Sequence, residues 1–218
     1  MRILAIETSS DACSAALAVG DEVFEVFRVA PRKHTKLLLT MVEQVLGQGE
    51  CSVQQLDAIA FGRGPGAFTG IRVATSVTQG IAFGADLPVV AVSSLAAIAH
   101  NGYREFGATQ SIVATDARLG EIYTGCYEVK NGEASLIGQE QVIKPEALSK
   151  IETGEWLAIG TGWGLYQEKL ASRVTASISQ VHGDVLPRAY DVACLARNGE
   201  RLQPEQALPV YLRDNVTS

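Results

Sequence analysis

The sequence contains no CxxC pair and no histidine at metal-ligand spacing; its four cysteines, Cys13, Cys51, Cys126 and Cys194, stand far apart. With no ligand set in view, no metal is expected, and the cysteines read as reduced thiols of a cytoplasmic protein. Long apolar runs are missing too. No window approaches 18 apolar residues, so no membrane span is expected. One arginine precedes the first apolar stretch and no long apolar segment follows it, so no signal peptide is expected. Positive charge is scarce: the formal net charge is −6. A broad basic surface for nucleic acid is therefore excluded, and any contact with RNA is expected to run mainly through a partner.

Catalytic signatures are equally sparse. The chain carries neither GxxxxGK[ST] nor a GxGxxG at its first strand, so a P-loop and a dinucleotide fingerprint are both absent. No GxSxG elbow or Cys–His signature frames a nucleophile. Asp11, Glu43, Asp57, Asp184 and Asp191 are dispersed, which gives no close carboxylate pair for shared acid–base work. His34, His100 and His182 stand singly, with surface, helix-end or capping roles as the default.

What is present is an ordinary globular composition, 47% hydrophobic and 19% charged, long enough for one domain or two small ones. One stretch organises it. Ala58–Phe61 is an apolar run of strand length, followed by Gly62-Arg63-Gly64-Pro65-Gly66-Ala67-Phe68-Thr69-Gly70-Ile71-Arg72. This reads as strand, glycine turn and helix, with Thr69 or Gly70 as N-cap. Such a turn either holds phosphate on free N–H groups or is a tight, ligand-free connection.

Around it, Arg2–Glu7, Ser14–Val19 and Val23–Val29 read as a three-strand meander, and His34–Gln48 as a helix apolar on several sides. The glycine turn leads into a helix to about Phe83, then a strand at Val89–Val92 and a helix at Leu95–Tyr103. The order then repeats. Ile112–Thr115, a turn at Asp116-Ala117-Arg118, Ile122–Val129 and Ala134–Gln141 form a second meander, followed by a short helix at Pro145–Ile151 and a strand at Trp156–Ile159. A second glycine turn, Gly160–Gly164, opens a helix near Leu165–Leu170, and the last helix is expected over about Arg188–Arg201. Two such units suggest a duplicated α/β fold, with halves at 1–106 and 107–218 and a final tail able to return to the first half. The rival is one irregular α/β domain whose repeat is coincidence.

Two halves of this kind resemble the actin/Hsp70/sugar-kinase superfamily, whose halves are ribonuclease H-like. Within it, several blocks together resemble the bacterial TsaB family, also called YeaZ, from end to end. They are Ile6-Glu7-Thr8-Ser9-Ser10, Arg32-Lys33-His34-Thr35, Gly64–Arg72, Asp116-Ala117-Arg118 with Gly120-Glu121-Ile122-Tyr123, and Pro209-Val210-Tyr211-Leu212-Arg213. The resemblance implies a non-catalytic subunit of the complex that places threonylcarbamoyladenosine beside the tRNA anticodon. Its implied partners are the catalytic relative TsaD and the ATPase TsaE, with a homodimer in isolation.

Where TsaD-like enzymes carry a His-x-x-x-His metal pair, this chain has Ser94 and Ile98, and Ile98 cannot coordinate a metal. The first phosphate turn, Glu7-Thr8-Ser9-Ser10, lacks a glycine, and in the second, Thr115–Leu119, side chains replace the glycines of the catalytic relative. Arg118 is expected to pair with Asp116 or Glu121. No intrinsic cofactor is expected; Thr8, Ser9, Gly64 and Gly66 are weak nucleotide-binding candidates, and ATP or ADP at the complex interface is left open. The partner face is expected at Leu38, Met41, Val42, Val45, Ala74, Val77, Thr78 and Ile81, which could join a four-helix bundle with a second subunit or could simply be core. The competing function is an enzyme in its own right, either a nucleotide-dependent transferase or a metallopeptidase-like protein.

Overall fold

A computed structural model describes residues 1–213; the end of the expected second half, 214–218, lies outside the described residues. Strands β1 (Arg2–Glu7), β2 (Ala12–Val19) and β3 (Glu22–Val29) precede helix α1 (His34–Gln48). Strand β4 (Ala58–Gly62), helix α2 (Phe68–Ala85), strand β5 (Val89–Val92) and helix α3 (Ser94–Phe106) complete the first repeat. The second runs β6 (Gln110–Arg118), β7 (Glu121–Lys130), β8 (Glu133–Ile143), β9 (Glu155–Ile159), α4 (Thr161–Ala171), β10 (Ser177–His182) and α5 (Ala189–Leu195).

The two sheets have one topology. The first is ordered β3-β2-β1-β4-β5, and the second, read from its meander edge, β8-β7-β6-β9-β10. In each, the three meander strands pair antiparallel and the next two add in parallel. Equal order and equal strand directions establish the duplication and remove the single-irregular-domain alternative.

Among the described residues the chain divides into two compact units, Met1–Ala97 with Pro187–Val210, and Ile98–Leu186 with residues 211–213. The boundary therefore falls inside α3 rather than at 106/107, and α5 belongs to the first unit. The first sheet is covered on both faces. Leu4 and Ile6 of β1 join Leu38, Met41 and Val45 of α1 and Ala74 of α2 on one side. Ile3 and Ala5, the alternate residues, face α5 on the other, in a layer dominated by alanine: Ala16, Ala18, Ala58, Ala60, Ala189, Ala193 and Ala196.

In the second unit α4 packs on β6 and β9 around Trp163, which is fully buried and donates from Nε1 to the Ile112 carbonyl at 2.9 Å. Gly102 of α3 faces Leu157 and Ile159. Several expected boundaries move. Residues 116–118 end strand β6 with an irregular register, and the turn itself comes slightly later, through Arg118, Leu119 and Gly120, all left-handed. Helix α4 begins at Thr161, and the expected helix at Pro145–Ile151 shrinks to one 3-10 turn, Pro145–Ala147. The last helix stops at Leu195, continued by a 3-10 turn at Ala196–Asn198.

Candidate partner interface

At the end of β1, the positions proposed for nucleotide are engaged by the fold itself. Thr8 is buried and its hydroxyl donates to the Gly70 carbonyl at 2.8 Å, while the Ala67 N–H donates to the Ser9 carbonyl at 2.7 Å. A β-carbon on Gly66 would lie 2.3 Å from that Ser9 oxygen, and one on Gly70 would lie 2.0 Å from the Thr8 oxygen. The glycines are thus required by backbone packing of one turn against another. Gly64 sits at φ +95 and accepts a hydrogen bond from the Ser94 N–H at 2.9 Å. Thr8, Ser9, Gly64 and Gly66 come together, but as a closed joint; Ser9 is 4% exposed. The helix they feed starts at Phe68 with Ala67 as N-cap, two residues before Thr69.

The joint contains a residue that sequence reasoning left aside, the fully buried Glu7. Its Oε1 accepts the Ser9 N–H at 2.5 Å and its Oε2 accepts the Ser94 hydroxyl at 2.7 Å. Burial pushes its carboxyl above the ordinary 4.5, against the opposing pull of the hydrogen bonds from Ser9, Ser94 and Thr8. Ser94, at a metal-ligand position of the catalytic relative, is committed here to Glu7, and Ile98 is core. Burial also raises the Cys13 thiol to about 11, with the Glu7 charge adding to the effect, so this thiol stays protonated at neutral pH. All four cysteines are free.

The histidines divide. His34 Nε2 lies 2.9 Å from the Ser10 carbonyl and 3.1 Å from that of Ala12, so it carries the proton and ties the start of α1 to the β1–β2 turn. His100 is buried, not a surface histidine, because residues 95–101 of α3 are buried together. His182 stacks on Phe106 with ring centroids 3.7 Å apart. Among the described residues no three His, Cys, Asp or Glu side chains gather closely enough to hold a metal. Arg118 pairs with Asp116 at 3.0 Å, one of its two expected partners, while Glu121 pairs with Arg213 of the tail.

The positions expected at a partner face mostly turn into the first unit, and other residues of the same two helices face outward. Leu38, Met41, Val42 and Val45 of α1, with Ala74 and Thr78 of α2, are buried in the first unit, and Val77 and Ile81 are half-buried against that core. The correction has a simple cause: α1 packs against both β2 and β3, so its widest apolar side is consumed by the sheet. Outward stand Leu39 (55% exposed), Phe68 (42%) and Phe83 (57%). Between the two helices lies a groove of about 420 Å³, lined mainly by Leu38, Leu39, Phe68, Val73 and Val77, with Arg72 held over the Phe68 ring at 3.6 Å. Gly80 and Gly84, on the outer side of α2, have open space where a β-carbon would be. The signal that could have separated these residues is register: Leu39 lies off the i, i+3, i+4, i+7 series that Leu38, Met41, Val42 and Val45 share.

Duplicated five-stranded sheets with helical cover place the chain in the actin/Hsp70/sugar-kinase class, built from two tandem ribonuclease H-like halves. The family model described as TsaD, tRNA N6-adenosine threonylcarbamoyltransferase, matches residues 26–217. A tRNA threonylcarbamoyladenosine biosynthesis protein TsaB from Escherichia coli K12 is 39% identical over 99% of this chain and 96% of its own length. The TsaB protein of Haemophilus influenzae is 36% identical, covering 100% and 95% respectively. The solved structure of YeaZ from Pseudomonas aeruginosa superposes with a TM-score of 0.89 at 44% identity, over 97% of this chain and 99% of its own. The chain belongs to the TsaB family and takes part in tRNA threonylcarbamoyladenosine biosynthesis. No helix among the described residues is long and apolar enough to cross a membrane.

Proposed function

We propose that this chain is a non-catalytic subunit that binds and activates TsaD, docking through the outward face of α1 and α2. The observation that carries this reading is the apolar groove with Leu39 and Phe68 at the surface of two adjacent helices. Large exposed apolar side chains around a concavity are the usual form of a protein docking site, with aromatic anchors supplying most of the binding energy. The closed joint at Thr8, Ser9, Gly64 and Gly66 supports a scaffold rather than an enzyme, because those polar groups already serve the fold. TsaD performs the transfer to the adenosine beside the anticodon and makes most of the tRNA contact. TsaE joins the assembly, any ATP or ADP sits at an interface of the complex, and the isolated chain pairs with itself through the same helices.

The test is the threonylcarbamoyladenosine content of tRNA after reaction with TsaD, TsaE, ATP and threonylcarbamoyl-AMP, with and without this chain. Modification that depends on the chain supports the reading. Modification indifferent to it, or nucleotide or peptide turnover by the isolated chain, overturns it.

A further inference from the structure

The charge of the chain is unevenly distributed, and the unevenness coincides with the helix face. Residues 26–42 and 58–85 contain six Lys and Arg and not one Asp or Glu; the rest of the chain contains twelve basic and 24 acidic residues. These two segments hold the N-terminal turns of α1 and α2, together with the loops leading into them. Neither helix has an acidic residue in its first turn or a side-chain cap, so the partial positive charge of each N-terminus adds to the cations.

One of these cations, Arg72, lines the groove, and three more sit at or just before the start of α1, next in sequence to the groove residue Thr35. Lys36 lies one turn ahead of Leu39 on α1, Arg32 and Lys33 precede it, and Arg72 lines the groove from α2. All four are exposed, and among the described residues no ion pair engages Arg32, Lys33 or Lys36. A protein with net charge −6 thus carries basic, acid-free sequence through the starts of the two helices that border an apolar groove.

We infer that the occupant of this groove is a helix of a second protein, apolar along one side and acidic where it meets Arg32, Lys33, Lys36 and Arg72. This rests on the reading that the α1–α2 face is the docking face. The groove is lined mainly by apolar side chains, which a hydrocarbon anchor fills and a phosphate does not; Arg72 in its wall and the cations at the start of α1 then fix the direction in which the helix lies. A second copy of this chain is a poorer match, since it brings the same cations, and Glu43 is the one acidic residue within α1 or α2. Heterodimer and homodimer therefore respond to salt in opposite senses. Added salt screens attraction in the first and repulsion in the second.

The experiment measures binding of the full chain to TsaD, and its self-association, between about 0.05 and about 0.5 M salt. Lys33→Glu with Lys36→Glu should weaken TsaD binding about tenfold or more, mostly through slower association, and flatten the salt dependence. Lys33→Arg with Lys36→Arg should bind like the parent, and parental self-association should strengthen with salt. If the charge reversal leaves TsaD affinity and salt dependence unchanged while Phe68→Ser abolishes binding, the docking reading survives and the acidic helix is wrong. If neither variant changes binding, the docking reading falls and takes this inference with it. If TsaD binding holds but retention of purified tRNA by the isolated chain drops, the cations serve nucleic acid and the inference is overturned.

Discussion

The two halves share one sheet topology and differ in what covers it. After its third strand the first half builds the 15-residue α1, where the second has only the 3-10 turn Pro145–Ala147. After the fourth strand the first half builds the 18-residue α2, the second the 11-residue α4, interrupted by non-helical geometry at Tyr166. The second half meets its own packing needs with few large side chains, chiefly Trp163 and Trp156. The first half spreads its core over many smaller ones and still leaves Leu39, Phe68 and Phe83 at the surface. Helices α1 and α2 leave these three large apolar side chains exposed where α4 leaves one, Leu165, and it is this surplus that the docking proposal assigns to a partner.

Four perturbations probe that contrast. The largest effect is expected from Trp163→Ala, which removes the anchor and leaves the Ile112 carbonyl without its partner; urea unfolding should show a loss of about 3–5 kcal/mol. Next is Gly70→Ala in the closed joint, where the new methyl meets the Thr8 oxygen; roughly 3 kcal/mol should be lost by the same measurement. A methyl tolerated there would mean the joint is loose enough to admit a ligand.

A smaller, pH-dependent effect follows from Glu7. Its folded pKa is raised, so its favourable contribution is present below the unfolded value near 4.5 and is lost as pH rises through the folded one. Glu7→Gln removes the ionising group, and its stability relative to the parent should improve as pH rises from 4.5 to neutrality. A gap independent of pH would show that Glu7 ionises in the joint as easily as in the unfolded chain. The smallest effect is Gly80→Ala on the open side of α2, which should stabilise the isolated chain by about 0.5–1 kcal/mol in a thermal melt. A loss would mean that α2 is covered there.

Much of the fold was legible because sheet strands buried on both faces are written as unbroken apolar runs, as in Ile3–Ile6 and Ala58–Phe61. The edge strand β10 was not, since Ser-Ile-Ser-Gln-Val-His is mostly exposed and pairs on one side alone. Only the first turn of helix α4 hid behind its glycines: residue 162 is glycine because Ala114 lies where a β-carbon would be, a tertiary fact absent from the local spelling. The helix face was legible as a face but not as a residue set. Periodicity shows that α1 is apolar around a wide arc and sets Leu39 off the series of Leu38, Met41, Val42 and Val45; packing on β2 and β3 is what turns that series inward and Leu39 outward. The joint at Glu7 was invisible for a related reason, as Glu7, Gly62 and Ser94 meet only when three chain segments converge.

The most direct test is the affinity of TsaD for a chain carrying Leu39→Glu and Phe68→Ser, two exposed positions whose change leaves the core intact. With the melting temperature preserved, the account predicts a loss of at least about 30-fold, with threonylcarbamoyladenosine formation falling in step. Parental affinity in this variant would contradict it and place the docking surface elsewhere.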